Sequence, residues 1–501
     1  MRSSYARILA VVPILLLVGP AAAGAAQGDL ATVDEAPLGN TPYELATGDF
    51  NEDGNVDVAA VNANGSSVSI VLGDGDGNFA PAPTPTISTG TSPLGITAAK
   101  LNGDTHLDLA VVQAGPDTVK ILLGAGDGTF VAAASEPATG TDPRDVQAAE
   151  LSGDANVDLA VTNRGNGEDP GTVSILLGNG SGGFSAAPTS PETVGVNPFS
   201  IAIADLNGGA SDIAVANSVS DNVSILLGGA GGDFTAATPV AAGDGADALV
   251  ARKLDADADV DLAVSNAFSE DTSVLLNDGT AAFTQPMTSP EGEGGNTGIG
   301  GGDLDGDGDT DLVLTQSNDE VAPLKNNGSG DFTSPAGSIA TVHGIVTRVA
   351  LADTDNDTDL DVLVAGGNGG DYRLTSLLNG AADADSDHVA DTIDECPSLA
   401  APQGCPLHAR SISAKYKARR MIFKGAISSS IPACVGPGQK VRLIKQTGHG
   451  EVLLAKGKTE TSGVYKLKQR ARHGTYRVDA PPSVDPGVGR CLFTTVYVER
   501  P

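Results

Sequence analysis

Short apolar runs recur along the first 380 residues of the chain, and each begins with an aspartate that follows a polar loop. The runs are rich in Val, Leu, Ile and Ala and are only six residues long, so they favour buried β-strands over helices. In most copies a second apolar run and a glycine-rich turn ending in Phe follow. With 65 Gly and 29 Pro separating these runs, the pattern predicts an all-β protein.

The runs have a nearly constant spacing. Successive loops begin 48 to 55 residues apart, at Asp49, Lys100, Glu150, Asp205, Lys253, Asp303 and Asp353. A period near 50 with several short strands in each unit is typical of radial or solenoidal repetition. Seven units of four strands fit a closed ring, which leaves few exposed sheet edges. Residues 30–380 are therefore predicted to form a seven-bladed β-propeller.

The two ends of this region complement each other. Residues 30–39 resemble the end of a repeat that lacks its beginning, whereas the seventh unit stops after residues 375–380, before its last strand. We therefore expect residues near 30–39 to complete the seventh blade and to close the ring.

The loop at residues 303–314, DLDGDGDTDLVL, has the chemistry of a cation site. Alternate carboxylates in one tight loop repel each other unless a cation lies among them. Ca²⁺ takes six to eight oxygen ligands, and positions 1, 3, 5, 7 and 9 of a coiled loop can supply most of them. An EF-hand would place a glutamate at the twelfth position, but Leu314 stands there, within an apolar run. The sequence predicts a calcium site in a loop that leads into a strand.

Three loops keep the predicted calcium ligands. They are Asp49, Asn51, Asp53, Asn55 and Asp57 in the first loop; Asp303, Asp305, Asp307, Asp309 and Asp311 in the sixth; and Asp353, Asp355, Asp357, Asp359 and Asp361 in the seventh. The loop at Glu150 is less complete and its occupancy is left open. The loop at Asp205 is one residue short and is predicted to be metal-free.

Two loops begin with a lysine, Lys100 or Lys253, at the first ligand position. A cation there would oppose bound calcium. Two interpretations remain open: the ammonium group folds into the loop and replaces the charge of the metal, or the lysine extends into solvent beside an empty loop.

These acidic loops and glycine-rich turns, for example SIVLGDGDGNF, resemble the FG-GAP/VCBS repeat family over roughly residues 30–380. The best-known members of this family include the head of the integrin α-subunit. The resemblance implies a seven-bladed propeller that binds several Ca²⁺ ions and presents a surface for adhesion or recognition. Some enzymes, polysaccharide lyases among them, also use a propeller of this repeat type.

A different acidic segment follows the propeller. Residues 381–407 resemble a thrombospondin type 3 repeat, which implies a linker stiffened by calcium. Its implied ligands are Asp383, Asp385, Asp387, the carbonyl of Val389, Asp391 and Asp394. Local spacing favours a disulfide between Cys396 and Cys405, which leaves Cys434 to pair with Cys491.

Both ends of the chain have a distinct composition. Residues 1–26 combine Arg2 and Arg7, a short apolar run and small residues, as a bacterial secretory signal does. No later segment offers a membrane span. Residues 408–501 alternate apolar and basic positions, which favours a small immunoglobulin- or transthyretin-like β-sandwich. Its basic face either contacts an anionic wall polymer or is simply solvated.

Charge and composition narrow the function. Residues 27–400 carry a net charge of −49 and residues 401–501 one of +13, so the acidic propeller is unsuited to nucleic acid. Aromatic residues are 4% of the chain and Trp is absent, which counts against a stacking platform for sugars. The six histidines are dispersed, and no catalytic residue or organic cofactor site is predicted.

The sequence thus predicts a secreted, calcium-binding, non-enzymatic propeller that recognises an extracellular protein or glycan. The alternative is a carbohydrate-active propeller, either a lyase or a lectin. That alternative requires polar side chains that converge on one face of the blades, and the candidates are Tyr43, Arg144, Arg164, His343, Arg348 and Arg373.

Overall fold

A computed structural model of the chain describes residues 30–288, 296–334, 340–342, 344 and 346–379, and the backbone of the strands within 410–500. The chain divides into two compact units, of which residues 27–381 form one, whereas residues 382–501 belong to the other. The predicted secretory signal (1–26), the thrombospondin-like segment (381–407), its predicted ligands and the side chains of the four cysteines lie outside the described part.

The first unit is a ring of seven antiparallel sheets, here called blades 1 to 7 in chain order. Blade 1 contains the strands Pro42–Gly48, Asp57–Asn62, Ser67–Gly73 and Phe79–Ser88. Blade 2 contains Pro93–Ala99, Asp108–Gln113, Thr118–Gly124 and Phe130–Ala132. Blade 3 contains Pro143–Ala149, Asp158–Asn163, Pro170–Gly178, Phe184–Ala186 and Glu192–Val196. Blade 4 contains Pro198–Ala204, Asp212–Asn217, Asn222–Gly228, Phe234–Ala236 and Val240–Ala241. Blade 5 contains Ala246–Arg252, Asp261–Asn266, Asp271–Asn277 and Phe283–Thr288. Blade 6 contains Asn296–Gly302, Asp311–Gln316, Glu320–Asn326, Phe332–Thr333 and Ala340–Thr341. Blade 7 contains Val346–Ala352, Asp361–Asn368, Asp371–Asn379 and, as its outer strand, Leu30–Pro37. A 3₁₀ helix, Ala230–Gly232, lies in blade 4.

The ring closes as expected. Leu30–Pro37 pairs antiparallel with Asp371–Asn379, from Leu30 opposite Asn379 to Pro37 opposite Arg373. The first strand of each blade contacts the first strand of the next, and that of blade 7 contacts that of blade 1. The prediction that residues near 30–39 complete the seventh blade is confirmed, and so is the seven-bladed β-propeller.

The second strand of every blade is buried throughout its first six residues. Such a strand has neighbouring strands on both sides and neighbouring blades against both faces of its sheet. An apolar run without alternation is therefore expected, since no face of the strand meets water. This explains why the runs in the sequence resemble buried strands of a layered sheet rather than half-exposed ones.

Each second strand begins with a buried aspartate, here called the latch aspartate. In blade 1, Asp57 accepts hydrogen bonds from the backbone N–H groups of Phe50, in the preceding loop (2.8 Å), and of Gly73, at the end of the third strand (2.9 Å). The same pair of bonds, at 2.7–3.0 Å, recurs in all blades at latch aspartates of 0% exposure, which are Asp57, Asp108, Asp158, Asp212, Asp261, Asp311 and Asp361. The latch therefore holds every loop onto its own blade.

The same loops also bind the neighbouring blade. The glycine-rich turn of blade 2 donates a hydrogen bond from Gly128 N–H to the carbonyl of Phe50 in the loop of blade 1, at 2.9 Å. Gly182 of blade 3 makes the equivalent bond to Leu101 at 3.0 Å. Across the closure, Gly77 of blade 1 bonds to Thr354 of blade 7 at 3.0 Å. Each such loop thus joins its own blade to the next one.

The second unit is also built of antiparallel strands. One four-stranded sheet contains Arg410–Ile412, Lys415–Lys417, Arg420–Ser429 and Val464–Lys468; another contains Lys440–Thr447, Gly450–Lys458, Gly474–Ala480 and Thr494–Arg500; and Ser483–Asp485 pairs with Gly489–Cys491. The sandwich packing remains a prediction. In the described part of the chain no helix is long and apolar enough to cross a membrane.

The closing strand is expected to be essential for the stability of the ring. Deletion of residues 28–40 removes an edge strand whose seven register pairs seal blade 7, so the melting temperature should fall by more than about 5 °C in a calorimetric scan. Ala36→Asp, which places a charge in the apolar cluster around Leu374, should act in the same direction. Pro37→Ala, at an exposed position, serves as the control. An unchanged melting curve for the deletion would contradict the closure.

The latch can be tested in blade 4, whose short loop is not a predicted metal site. Asp212→Asn keeps the shape but presents an NH₂ group to one of two buried N–H donors, so it should lower the free energy of unfolding by about 2–3 kcal/mol. Asp76→Asn, at an exposed turn position, is the matched control. The measurement is urea unfolding in chelator. Equal stability of both variants would show that the latch bonds contribute nothing.

Candidate metal-binding loops

The acidic loops all connect the first and second strands of their blades, so they lie at one end of the ring, here called the loop face. Among the described residues, three loops bring ligand atoms of three carboxylates within 4.8 Å of one another. These groups are Asp255, Asp257 and Asp261 in blade 5; Asp303, Asp305 and Asp311 in blade 6; and Asp353, Asp355 and Asp357 in blade 7.

The blade 6 loop brings together three of its five predicted ligands, Asp303, Asp305 and Asp311. Asp303 anchors the loop by accepting hydrogen bonds from the N–H groups of Gly306 (2.8 Å) and Gly308 (3.0 Å). Gly308 has a φ of +92°, a left-handed conformation that favours glycine. Burial, together with the carboxylates of Asp305 and Asp307, raises the pKa of the latch aspartate Asp311 to about 6. Asp307 itself is exposed, and its Oδ1 accepts the N–H of Asp309 at 2.9 Å.

The blade 7 loop has the least satisfied carboxylates of the three groups. Burial, together with the charges of Asp361 and Asp357, raises the pKa of Asp355 to about 7. Oδ1 of Asp355 and Oδ2 of Asp359 are buried and receive no hydrogen bond within the described part of the chain. Thr358 stands in place of the turn glycine and adopts a φ of +81°, which is strained for a β-branched residue. Unpaired carboxylate oxygens in a strained loop are the environment that a hard cation would satisfy.

The blade 1 loop is arranged differently. Asp49 accepts the N–H groups of Asp53 (3.1 Å) and Gly54 (2.9 Å), as the first ligand of blade 6 does. Asn51 replaces a carboxylate at the third position, and its Nδ2 donates to Asp53 Oδ2 at 3.0 Å. The loop therefore has the predicted shape, but its three carboxylates do not form a group as close as those of the other three loops.

The lysine-headed loops favour the simpler of the two interpretations. Lys100 and Lys253 are both exposed, as expected of lysines that extend into solvent. In blade 5, the carboxylates of Asp255, Asp257 and Asp261 come together even though Lys253 replaces the first ligand. This group was not predicted from the sequence because Lys253 stands at the first ligand position, although the third, fifth and ninth positions keep their carboxylates.

The two remaining loops satisfy their own backbone. Glu150 accepts the N–H groups of Ser152 (2.9 Å) and Asp154 (3.2 Å). Asp205 accepts those of Asn207, Gly208 and Gly209, at 2.7–3.2 Å. In both, the first acidic side chain holds the turn.

The opposite end of the first strands holds a polar cluster at the propeller axis. The guanidinium carbon of Arg348 lies 5.6 Å from the ring centre of Tyr43 and 5.5 Å from that of Phe199. An ion pair of 3.3 Å joins Arg348 to Asp247. Burial raises the pKa of Glu44 well above its usual value, as does the nearby Asp145. The short polar stretches that begin the first strands are the only signal of this cluster in the sequence.

Tyr43 is not ionised in this cluster near neutral pH. Burial raises the pKa of Tyr43 to about 12, even though Arg348 acts in the opposite direction, so the phenol stays protonated near neutral pH. Arg144 and Arg164 both bind Asp142, at 2.8 and 2.6 Å.

Arg373, a further candidate side chain, is not part of the cluster. Arg373 pairs with Asp371 and Glu35, each at 3.0 Å. His343 lies outside the described residues.

Comparisons with solved structures give matches of low identity. BBS1N in complex with ARL6DN, soaked with lead, is 15% identical over 70% of this chain and 98% of that chain, with a TM-score of 0.49. The mercury-soaked crystal of that complex is 15% identical over 70% and 97%, with a TM-score of 0.48. A functionally unknown protein from Desulfotomaculum acetoxidans DSM 771 is 12% identical over 61% and 90%, with a TM-score of 0.44. No curated protein matches the chain.

A family comparison identifies the repeats themselves. The family described as FG-GAP-like repeat matches residues 49–111, 100–161 and 303–364. Each match begins at the first position of an acidic loop and ends within the second strand of the following blade. The matched unit is thus the loop, its blade and the start of the next blade, which is the unit that the hydrogen bonds described above join. The chain carries FG-GAP-like repeats, and its repeats form a seven-bladed β-propeller.

Proposed function

We propose that this protein is a secreted, calcium-stabilised and non-enzymatic propeller that serves as a scaffold for adhesion or recognition. The observation that carries the proposal is the pair of unpaired, buried oxygens of Asp355 and Asp359 in a loop that already gathers three carboxylates. All the available ligands are oxygens, which suits Ca²⁺ better than Zn²⁺, a metal that prefers nitrogen and sulfur.

The energetics of the loops support a cation. The pKa values of Asp57, Asp311 and Asp361 are raised to about 6 and that of Asp355 to about 7, chiefly by burial. A carboxyl group whose pKa is higher in the folded state than in the unfolded state stabilises the fold at low pH. That contribution is lost as the pH rises from about 4 through 6 to 7. Near neutral pH the ionisation of these carboxyl groups therefore lowers the stability of the fold unless a cation compensates for their charge.

The ligand sets would differ between blades. Asp303, Asp305, Asp307 and Asp311 would hold calcium in blade 6, and Asp353, Asp355, Asp357, Asp359 and Asp361 in blade 7. Bound calcium would neutralise the carboxylates and stiffen the loops. Because these loops also join neighbouring blades, a stiffer loop would rigidify the ring rather than a single turn. The blade 5 and blade 1 loops would be further, less complete sites.

The face opposite the loops offers a surface for recognition. Val219 and Phe268 occupy equivalent positions in the turns between the second and third strands of blades 4 and 5, and they are 55% and 76% exposed. No lysine or arginine occurs between Arg164 and Arg252, so this part of the face is acidic. A protein segment that combines basic and apolar side chains fits such a surface.

The carbohydrate-active alternative rests on a different observation. Tyr43, Arg144 and Arg348 do converge near the axis, where the last two contact Phe199. Their pairing with carboxylates and the raised pKa of Tyr43 favour a structural role over catalysis.

Removal of calcium should destabilise the propeller. Binding to the folded state alone adds about 2.7 kcal/mol for each site at a hundredfold excess over Kd, so chelation should lower the melting temperature by several degrees. Asp307→Ala removes an exposed ligand without opening the core and should reproduce part of the fall. Asp76→Ala, at an exposed turn position, is the control. Identical melting of the natural protein in chelator and in millimolar calcium would refute the calcium proposal.

The recognition surface can be tested with the full chain in calcium, on arrays of basic and apolar peptides and of glycans. Phe268→Ser and Val219→Ser should each weaken peptide binding about tenfold or more if these side chains are central to the contact. Val131→Ser, at an equally exposed apolar position (68%) in blade 2, should leave it unchanged. Release of unsaturated oligosaccharides from a polysaccharide would overturn the non-enzymatic assignment, and glycan binding without turnover would indicate a lectin.

A further inference from the structure

One position of the blades is apolar in six copies and basic in one. It is the next-to-last residue of the third strand. The residue there is Leu72, Leu123, Leu177, Leu227, Leu276 or Leu378 in six blades, and Lys325 in blade 6. The exception lies beside one of the two loops that contain five aspartates.

The leucines pack beneath the glycine-rich turn of the following blade. A Cβ atom added to Gly128 would lie 3.2 Å from Leu72, and one added to Gly182 would lie 3.1 Å from Leu123. The same holds across the ring closure, where a Cβ on Gly77 of blade 1 would lie 2.8 Å from Leu378 of blade 7. The turn therefore covers the leucine and excludes water from it.

Among the described residues, blade 7 has no glycine-rich turn that covers Lys325. Its outer strand is Leu30–Pro37, which comes from the other end of the propeller, so the chain makes no turn from the third strand into the outer strand. The next-to-last residue of the third strand of blade 6 therefore does not have to be apolar. A charged side chain can stand there without being buried under a turn.

Lys325 contacts the acidic loop of its own blade. Its Nζ lies 3.2 Å from Oδ2 of Asp305, and the two side chains are only 28% and 18% exposed. Asp305 is the middle member of the group that it forms with Asp303 and Asp311. A lysine at this place therefore contacts a ligand of the proposed calcium site directly.

We propose that Lys325 is a tethered counter-charge that stabilises the empty blade 6 loop and weakens its binding of calcium. This inference rests on the proposed calcium function of that loop. A unit positive charge in contact with a ligand carboxylate repels an incoming divalent cation, and the interaction is only partly screened at a half-buried site. The blade 6 loop, with its five aspartates, is then a weaker site than its sequence implies, and its occupancy follows the calcium concentration.

Substitution of Lys325 in the full-length protein tests the inference. Lys325→Met removes the charge and keeps the length of the side chain, and Lys325→Leu introduces the residue that the other six blades use. Both should raise the calcium affinity of one site about tenfold, which corresponds to roughly 1.4 kcal/mol, in calorimetric titration with calcium chloride. Both should also enlarge the rise in melting temperature between chelator and calcium. Lys325→Arg, which keeps the charge, should leave the affinity within about threefold.

Lys120→Met is the matched control. Lys120 also lies in a third strand and pairs with a carboxylate, Glu136, at 2.9 Å, but its partner is not a loop ligand. Its substitution changes the net charge equally and should leave calcium affinity unchanged. A similar gain from Lys120→Met would show a general charge effect and would overturn the inference.

A second variant separates this inference from the calcium proposal. In Lys325→Met/Asp307→Ala the gain from the lysine substitution should disappear, because the blade 6 site is disabled. If Asp307→Ala alone leaves calcium binding unaltered, the proposed site in blade 6 is wrong. If Asp307→Ala removes a site while Lys325→Met binds calcium no more tightly than the natural protein, only the role of Lys325 is refuted.

Discussion

The structure of the propeller depends on one buried carboxylate that recurs in every blade. The latch aspartate accepts one N–H from the loop and one from the third strand, so its two oxygens tie a polar turn to an apolar sheet. Without it, two buried donors would lose their acceptors, a cost that folding cannot easily offset. The loop that the latch aspartate holds offers a backbone carbonyl to the glycine-rich turn of the next blade. The latch aspartate therefore supports contacts both within a blade and between blades.

This arrangement explains why loops with poor ligand sets keep their shape. Asp212 in blade 4 makes both latch bonds although its loop is one residue short, and Asp108 makes them in a loop headed by Lys100. Loop geometry and metal binding are therefore separable. A calcium ion would add to a turn that the latch already holds, and the ligands at the other positions can vary without loss of the fold.

The closure between blades 6, 7 and 1 is where the regular pattern fails. In blades 1, 2, 3, 5 and 6 the seventh loop residue lies against the glycine turn of its own blade, as His106 does against Gly126 and Asp309 against Gly328. The described part of blade 7 has no such turn, because its outer strand comes from residues 30–37. One oxygen of Asp359 is left without a donor, and at the equivalent edge of blade 6 a lysine replaces a leucine. The unusual electrostatics of these two loops thus follow from the way in which the ring is sealed.

The sequence by itself determined the all-β class, the seven repeats, the closing strand and the positions of the loop carboxylates. Each follows from local chemistry: six-residue apolar runs need two buried faces, and aspartates at alternate positions crowd one turn. Only the tertiary structure decided which carboxylates meet. Asp255, Asp257 and Asp261 come together despite Lys253, whereas the carboxylates of the first loop do not form so close a group. The axis cluster of Arg348 with Tyr43, Phe199 and Asp247 and the contact of Lys325 with Asp305 join residues from separate strands. Such contacts depend on the closure of the ring and on the third-strand register, which no local pattern encodes.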